Sequence, residues 1–261
     1  MAKEVKNIAQ QSADVIAKPV NQWRQTVKDA DAIAEKPARH YRALIFQSYV
    51  IGAIILFVVL AVLAKTIAYF TFDVTITHEI QEFHVWWFDA FMYSLTWIGF
   101  TPQAPIISAV IIVFLFVSGL KWESVVSTLS LMGISLLGLV IKLFVARPRP
   151  SADLVNVLNQ LNSYSFPSAH VLYFTTFFGF LLFLVFTLLK HSWLRIVLLI
   201  MLSAMIGLIG MSRIYEGQHW ASDVFAAYLL GSVWLSLSIY VYRWGKSRFF
   251  ADQPAAKETP S

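Results

Sequence analysis

The chain reads as a polar start followed by long apolar runs separated by short polar segments. Six runs fall near 44–64, 102–120, 124–145, 168–189, 193–211 and 220–242. Each approaches the roughly 20 residues that a helix needs to cross a hydrocarbon core. The run at 193–211 carries Ser203, Ala204 and Gly207, small side chains that let neighbouring helices approach closely. The expected fold class is all-α, a polytopic membrane helix bundle with six transmembrane helices. The bundle is expected over 44–243, with cytoplasmic segments at 1–43 and 244–261.

Two polar stretches add detail. In 71–100, Asp73, Glu79, Glu82 and Asp89 alternate with aromatics such as Trp86, Trp87 and Trp97, which predicts a helix lying at the outer interface. An aromatic belt accounts for that composition, and no catalytic role is expected there. His78 and His84 lie in the same stretch without a second pair of ligands nearby, so they read as solvated loop histidines rather than a metal site. Between Pro19 and Pro37, Val20, Trp23, Val27, Ala30 and Ala34 recur at helical spacing. That segment reads either as an amphipathic helix on the inner membrane surface or as a cytoplasmic tail.

Composition agrees with the pattern: 58% of the 261 residues are hydrophobic and 13% charged, against roughly 45–50% and about 25% in soluble domains. The net charge of +5 raises the question of nucleic acid, but the basic residues flank the apolar runs as topology determinants do, so no nucleic-acid partner is expected. With the N-terminus inside, fifteen of the twenty Lys and Arg residues fall on the cytoplasmic side. The exceptions are Lys65, Lys142, Arg147, Arg149 and Arg213. Both termini are therefore expected in the cytoplasm, and the loops carrying the last four exceptions on the outer face. The absence of cysteine excludes disulfides, thiolate chemistry and cysteine-ligated metal. The polar first 40 residues lead to the expectation of no cleaved signal peptide.

Three clusters carry candidate chemistry. Lys142 and Arg149 sit in KLFVARPRP at the end of the third run, where Pro148 and Pro150 stop the helix and hold the arginines in extended geometry. A fixed guanidinium clamps phosphate better than a mobile one, although lysine snorkelling and headgroup contact also fit this segment. Pro167, Ser168, Ala169 and His170 open the fourth run, where unpaired helix N–H groups and the Ser168 hydroxyl suit phosphate oxygens, or where Ser168 is an ordinary cap. Ser212, Arg213, His219 and Asp223 span the last outer loop. If His219 and Asp223 are both helical, their spacing puts them on one face, as a nucleophile with its orienting carboxylate or as a structural contact. Odd runs going out and even runs going in deliver all three clusters to one membrane face. Together they supply three cations, hydroxyl and backbone donors and two histidines, a set suited to phosphoryl transfer without a metal or cofactor. Which histidine attacks stays open at this level.

The same residues resemble the type 2 phosphatidic acid phosphatase superfamily, whose signature reads KxxxxxxRP, PSGH and SRxxxxxHxxxD. Here the positions are Lys142, Arg149 and Pro150; Pro167, Ser168 and His170; and Ser212, Arg213, His219 and Asp223. Ala169 stands where the signature has glycine: it keeps the backbone N–H and adds a Cβ. The resemblance implies that His219 attacks phosphorus, Asp223 orients it, His170 protonates the leaving group, and Lys142, Arg149, Ser168 and Arg213 hold the phosphate oxygens. It implies a phosphatase of a bacterial plasma membrane, acting on phosphatidic acid, phosphatidylglycerophosphate or a polyprenyl diphosphate, with membrane lipids as its surroundings. Two other functions are compatible with the motif set. Vanadate-dependent haloperoxidases share it but are soluble, and a noncatalytic lipid-binding or transport protein would not need the nucleophile and acid intact.

Overall fold

The computed structural model describes residues 41–249, and among these there is no strand. The expected amphipathic segment before Pro37 lies outside the described residues. The chain divides after Gly52 into two units, the first being described only over 41–52, which are helical. Helix α1 (Tyr41–Thr66) runs across that boundary. In the second unit follow α2 (Thr71–Gln81), α3 (Trp86–Trp97), α4 (Gln103–Val117), α5 (Lys121–Val145), α6 (Ala169–Leu188), α7 (Trp193–Tyr215) and α8 (Ala221–Phe249).

Helices α1, α5, α6, α7 and α8 are each long and apolar enough to cross a membrane. The expected second span is α4, whose 15 residues extend about 22 Å at 1.5 Å per residue. The protein is thus a polytopic helical bundle of about six spans. Most of the bundle turns apolar side chains outward, including Ile55, Val113, Leu136 and Ile200, as a bilayer solvent requires.

Helix α6 is the most buried of the five long helices and forms the axis of the bundle. Its Phe174, Phe177 and Phe178 join Val171, Ile209 and Val224 in the main core. Phe174–Phe178 is wound as a π-helical stretch, one turn beyond His170. Polar pairs tie the outer helices together where no hydrophobic drive exists between them in lipid. Ser130 on α5 meets Ser238 on α8 at 2.7 Å, and Trp234 Nε1 donates to the Ser130 carbonyl at 3.0 Å.

The stretch 71–100 departs from the single interfacial helix expected. It forms two helices, α2 and α3, packed on α7 and α8. Neither Gly nor Pro causes the break. Phe83 packs edge-on against Phe88 at 4.9 Å and Phe88 against Tyr215 at 5.2 Å, so tertiary aromatic packing outweighs local propensity. Gln81 fixes the corner, donating to the carbonyls of Asn156 and Tyr215 at 2.6 and 2.8 Å. His78 lies on α2, and His84 pairs with Asp89 at 3.1 Å. At the other end, α8 continues to Phe249, beyond the expected limit of 243, because Lys246 pairs with the buried Glu123 at 2.8 Å.

Candidate active site

Each motif segment sits at a helix end, and the ends meet. Helix α5 stops at Ala146, whose left-handed backbone (φ 54°) turns the chain sharply while its N–H closes on the Lys142 carbonyl at 3.0 Å. A non-glycine residue there carries a strain of about 1 kcal/mol. The turn aims Arg147 inward and sends Pro148–Pro150 past the start of α8, where Trp220 Nε1 donates to the Pro148 carbonyl at 3.3 Å. Ser165 N–H donates to the Arg147 carbonyl at 2.8 Å, fixing the approach to α6. Lys142 Nζ donates to the Tyr164 carbonyl at 2.6 Å.

Helix α6 opens at Ser168, whose hydroxyl makes no capping bond and has no partner within the protein although it is buried. The ordinary capping reading of that serine does not describe it. Ala169 has no left-handed backbone, so the extra methyl causes no strain. It is exposed and lines a cavity of about 180 Å³ between α5 and α6, with Gly138, Leu139, Lys142 and Leu172. The His170 ring stands edge-on to Phe100 at 5.1 Å, and its Nε2 has no protein partner. Gly99 is required here, because a Cβ at that position would lie 2.2 Å from the ring.

Helix α7 ends in Ser212 and Arg213. Ser212 donates to the Met92 carbonyl at 2.8 Å and meets Thr96 Oγ1 at 2.5 Å, so this motif serine fastens α3. Arg213 NH1 donates to Thr96 at 3.2 Å and to Glu216 at 2.9 Å, while its buried Nε and NH2 have no protein partner. Gly217, at φ 64° and against the Asn156 carbonyl, makes the turn into His219.

His219 precedes α8 instead of lying in it, so the expected same-face contact takes a different form. Nδ1 is 3.8 Å from Asp223 Oδ2, beyond hydrogen-bond distance. Ser165 Oγ lies between them, 3.4 Å from His219 Nδ1 and donating to Asp223 Oδ2. Asp223 also accepts the Trp220 N–H at 3.1 Å. The far ring nitrogen faces Arg149 NH1 at 3.3 Å. Arg149 is held by the carbonyls of Ser163 and Gln218 at 2.7 and 2.5 Å. Burial pulls it down to about 10, with Asp223 opposing, so it is charged at neutral pH. Burial, then Arg149, Lys142 and Arg213, push His219 well below the usual imidazole value, with a hydrogen bond from the ring to the Ser165 backbone opposing them. The nucleophile candidate is therefore neutral at pH 7, and all three motif cations act on it. His170 lies within electrostatic reach of Arg213, His219 and Arg149.

The seven residues singled out from the sequence, Lys142, Arg149, Ser168, His170, Arg213, His219 and Asp223, thus gather at one end of the bundle. Sequence reasoning did not find Ser165, Thr96, Gly99, Glu216, Arg147 or Asp73. Arg147 and Asp73 are fully buried and paired at 2.9 Å; charges flanking apolar runs were the signal available for them. Among the described residues, no three His, Asp or Glu side chains converge in a metal-binding group.

A six-span helical bundle with cations, hydroxyl donors and two histidines clustered at one end defines the class: a polytopic membrane protein built around an anion-sized polar site. The PAP2 superfamily model matches residues 123–247, the segment that holds the whole motif set. The fold is similar to the crystal structure of a transmembrane PAP2-type phosphatidylglycerolphosphate phosphatase from Bacillus subtilis, at 25% identity and TM-score 0.67 over 77% of this chain and 99% of that one. It is also similar to Aquifex aeolicus LpxE, at 25% identity and TM-score 0.53 over 66% of this chain and 96% of that one. No curated protein matches the sequence.

Proposed function

We propose that this chain is an integral membrane lipid phosphatase that hydrolyses a lipid phosphomonoester or diphosphate through a phosphohistidine on His219. The observation that carries the reading is the set of buried polar atoms without protein partners: Ser168 Oγ, His170 Nε2, and Arg213 Nε and NH2. A buried donor left unpaired costs about 1–3 kcal/mol, and phosphate oxygens are the chemistry that would satisfy them. The names of the similar structures support a phosphorylated lipid as substrate.

In this mechanism Lys142, Arg149, Ser168 and Arg213 bind the phosphate oxygens. His219 Nε2 attacks phosphorus as the bond to the lipid oxygen breaks, and His170 gives that oxygen its proton. The Nδ1–H passes its hydrogen bond to Ser165 and thence to Asp223. Water then attacks the phosphorus–nitrogen bond, His170 takes its proton, and inorganic phosphate leaves. No step calls on a metal, because the developing charge is met by the three cations.

In-line displacement puts the lipid tail on the side of His170, opposite His219. An apolar cavity of about 580 Å³ lies between α4, α6 and α7, lined from Ile98 past Ile107, Phe178 and Leu202 to Leu188 and Leu194. It suits an acyl or prenyl chain. The charge distribution supports cytoplasmic termini and a site on the outer face, and the organisms of the two similar structures support a bacterial plasma membrane.

Phosphate release by purified protein from a panel of lipid phosphates and diphosphates tests the function. His219→Ala should abolish it on every substrate, and turnover by that variant would overturn the reading. The chain has no cysteine, so a cysteine at Asn162 reports orientation. Labelling only from the cytoplasmic side would reverse the topology.

A further inference from the structure

Behind Asp223 lies a buried ionic array that the phosphoryl-transfer steps do not use. Arg147, at 1% exposure, donates NH1 to Asp223 Oδ1 at 2.5 Å and NH2 to Asp73 Oδ2 at 2.9 Å. Its Nε donates to the Ala68 carbonyl at 3.0 Å, so every edge of the guanidinium is engaged. Ser222 closes the array: it accepts from Arg147 NH1 at 2.7 Å, and its own hydroxyl and N–H donate to Asp73, both at 2.8 Å. Asp73 in turn accepts the Phe70 N–H at 3.1 Å, from the first turn of α2. Both carboxylates are fully buried.

We infer that Asp73 and Arg147 are positioning residues for the nucleophile, holding the Asp223 carboxylate, and through it the His219 ring, in the attacking geometry. The inference rests on the reading of His219 as nucleophile. Burying two carboxylates and a guanidinium gives little net stability, since desolvation offsets their attraction, so stability alone is a poor reason for the array. A carboxylate can hold an imidazole only if its own rotamer is fixed. Asp223 Oδ1 is fixed by Arg147, leaving Oδ2 to Ser165 and the Trp220 N–H. Arg147 is fixed by Asp73, which brings α2 into the reaction machinery although it contributes nothing that touches phosphate.

Because the array is charged, its two members act on His219 with opposite sign. The charged and titratable groups facing the ring are Lys142 from α5, Arg149 from the following loop, His170 from α6, Arg213 from α7 with Glu216 behind it, and Asp223 from α8. Asp73 from α2 and Arg147 reach it through Asp223. Removing the negative charge of Asp73 makes imidazolium less favourable, and removing the positive charge of Arg147 makes it more favourable. A unit charge roughly 9 Å away, at an effective dielectric constant of about 20, moves a pKa by about one unit.

The test is the pH dependence of kcat/KM for lipid phosphate hydrolysis by the full chain in detergent, comparing Asp73→Asn, Arg147→Met and Arg147→Lys with His219→Ala as control. Asp73→Asn keeps the shape and carries the test if Arg147→Met does not fold. It should lower kcat by about tenfold with KM within about twofold and move the acid limb down by about one pH unit. Arg147→Met should move the limb up by a similar amount, and Arg147→Lys should restore much of the limb position. Unchanged kcat and acid limb in folded Asp73→Asn, or shifts of the same sign in Asp73→Asn and Arg147→Met, would overturn the inference. An active His219→Ala would instead overturn the phosphohistidine reading beneath it.

Discussion

Ser165→Ala separates a relayed contact from a direct one. The hydroxyl sits 3.4 Å from His219 Nδ1 and donates to Asp223 Oδ2, whereas the imidazole and carboxylate are 3.8 Å apart. Truncation removes both hydrogen bonds and leaves the ring only its contact with the Ser165 backbone, with no link to the carboxylate. Asp223 keeps Arg147 at 2.5 Å and the Trp220 N–H at 3.1 Å, so the carboxylate stays anchored and does not swing freely to the ring. A hydrogen bond to a charged group contributes about 1.5–3 kcal/mol. If that support is realised as the imidazole gains positive character, kcat/KM falls roughly 10- to 150-fold. The assay is single-turnover phosphate release in detergent micelles, alongside thermal unfolding to check that the variant is folded. Ser165→Thr keeps a hydroxyl and should retain much more activity. If folded Ser165→Ala turns over at the parental rate, Asp223 pairs directly with His219 during the reaction, and the relay is wrong.

Three other outcomes follow from the same geometry. His170→Ala should lose far less activity on p-nitrophenyl phosphate, whose phenolate departs readily, than on a lipid phosphate; equal proportional losses would remove His170 as the general acid. Activity should persist in EDTA and be inhibited by vanadate, and loss in EDTA with recovery only on adding magnesium would refute the charge assignment to Lys142, Arg149 and Arg213. His219 titrates below its unfolded value of about 6.5, so the unfolded chain binds the proton more readily. Its contribution is therefore constant above that pH, and stability falls below it by up to about 1.4 kcal/mol per unit, down to the depressed folded value. His219→Gln should have a shallower loss of thermal stability between pH 6.5 and 5, and identical slopes would contradict the buried neutral state.

The spans and the gathering of the motifs at one end were legible because a bilayer imposes run length and strict alternation of direction on the chain. Little about side-chain conformation enters that argument. The relation of His219 to Asp223 was only partly legible, since the four-residue spacing fixes a shared face only inside a helix. Helix α8 begins at Ala221, after His219, and Ser165, 58 positions before Asp223, fills the space. The division of 71–100 was not legible, because Phe83 and Phe88 break the helix through Tyr215, far along the chain. Arg147 read as one more outer basic residue, its partner Asp73 being 74 positions away. Local patterns carry no signal for such pairs.

Charge balance explains why the residues hidden from the sequence reading accompany the visible ones. Lys142, Arg147, Arg149 and Arg213 bring four positive charges to the end of an apolar bundle, where uncompensated charge is costly. Asp223, Asp73 and Glu216 bring three carboxylates, but each is tied to an arginine. Burial also raises Glu216, against the pull of Arg213, so part of its compensation is weak. With His219 neutral, the site keeps a positive excess before an anion arrives. A phosphate is drawn to that excess, while the carboxylates keep Arg147 and Arg213 in place rather than competing for the reacting phosphorus. The acids therefore make a cationic site tolerable in its resting state without abolishing the field that binds substrate.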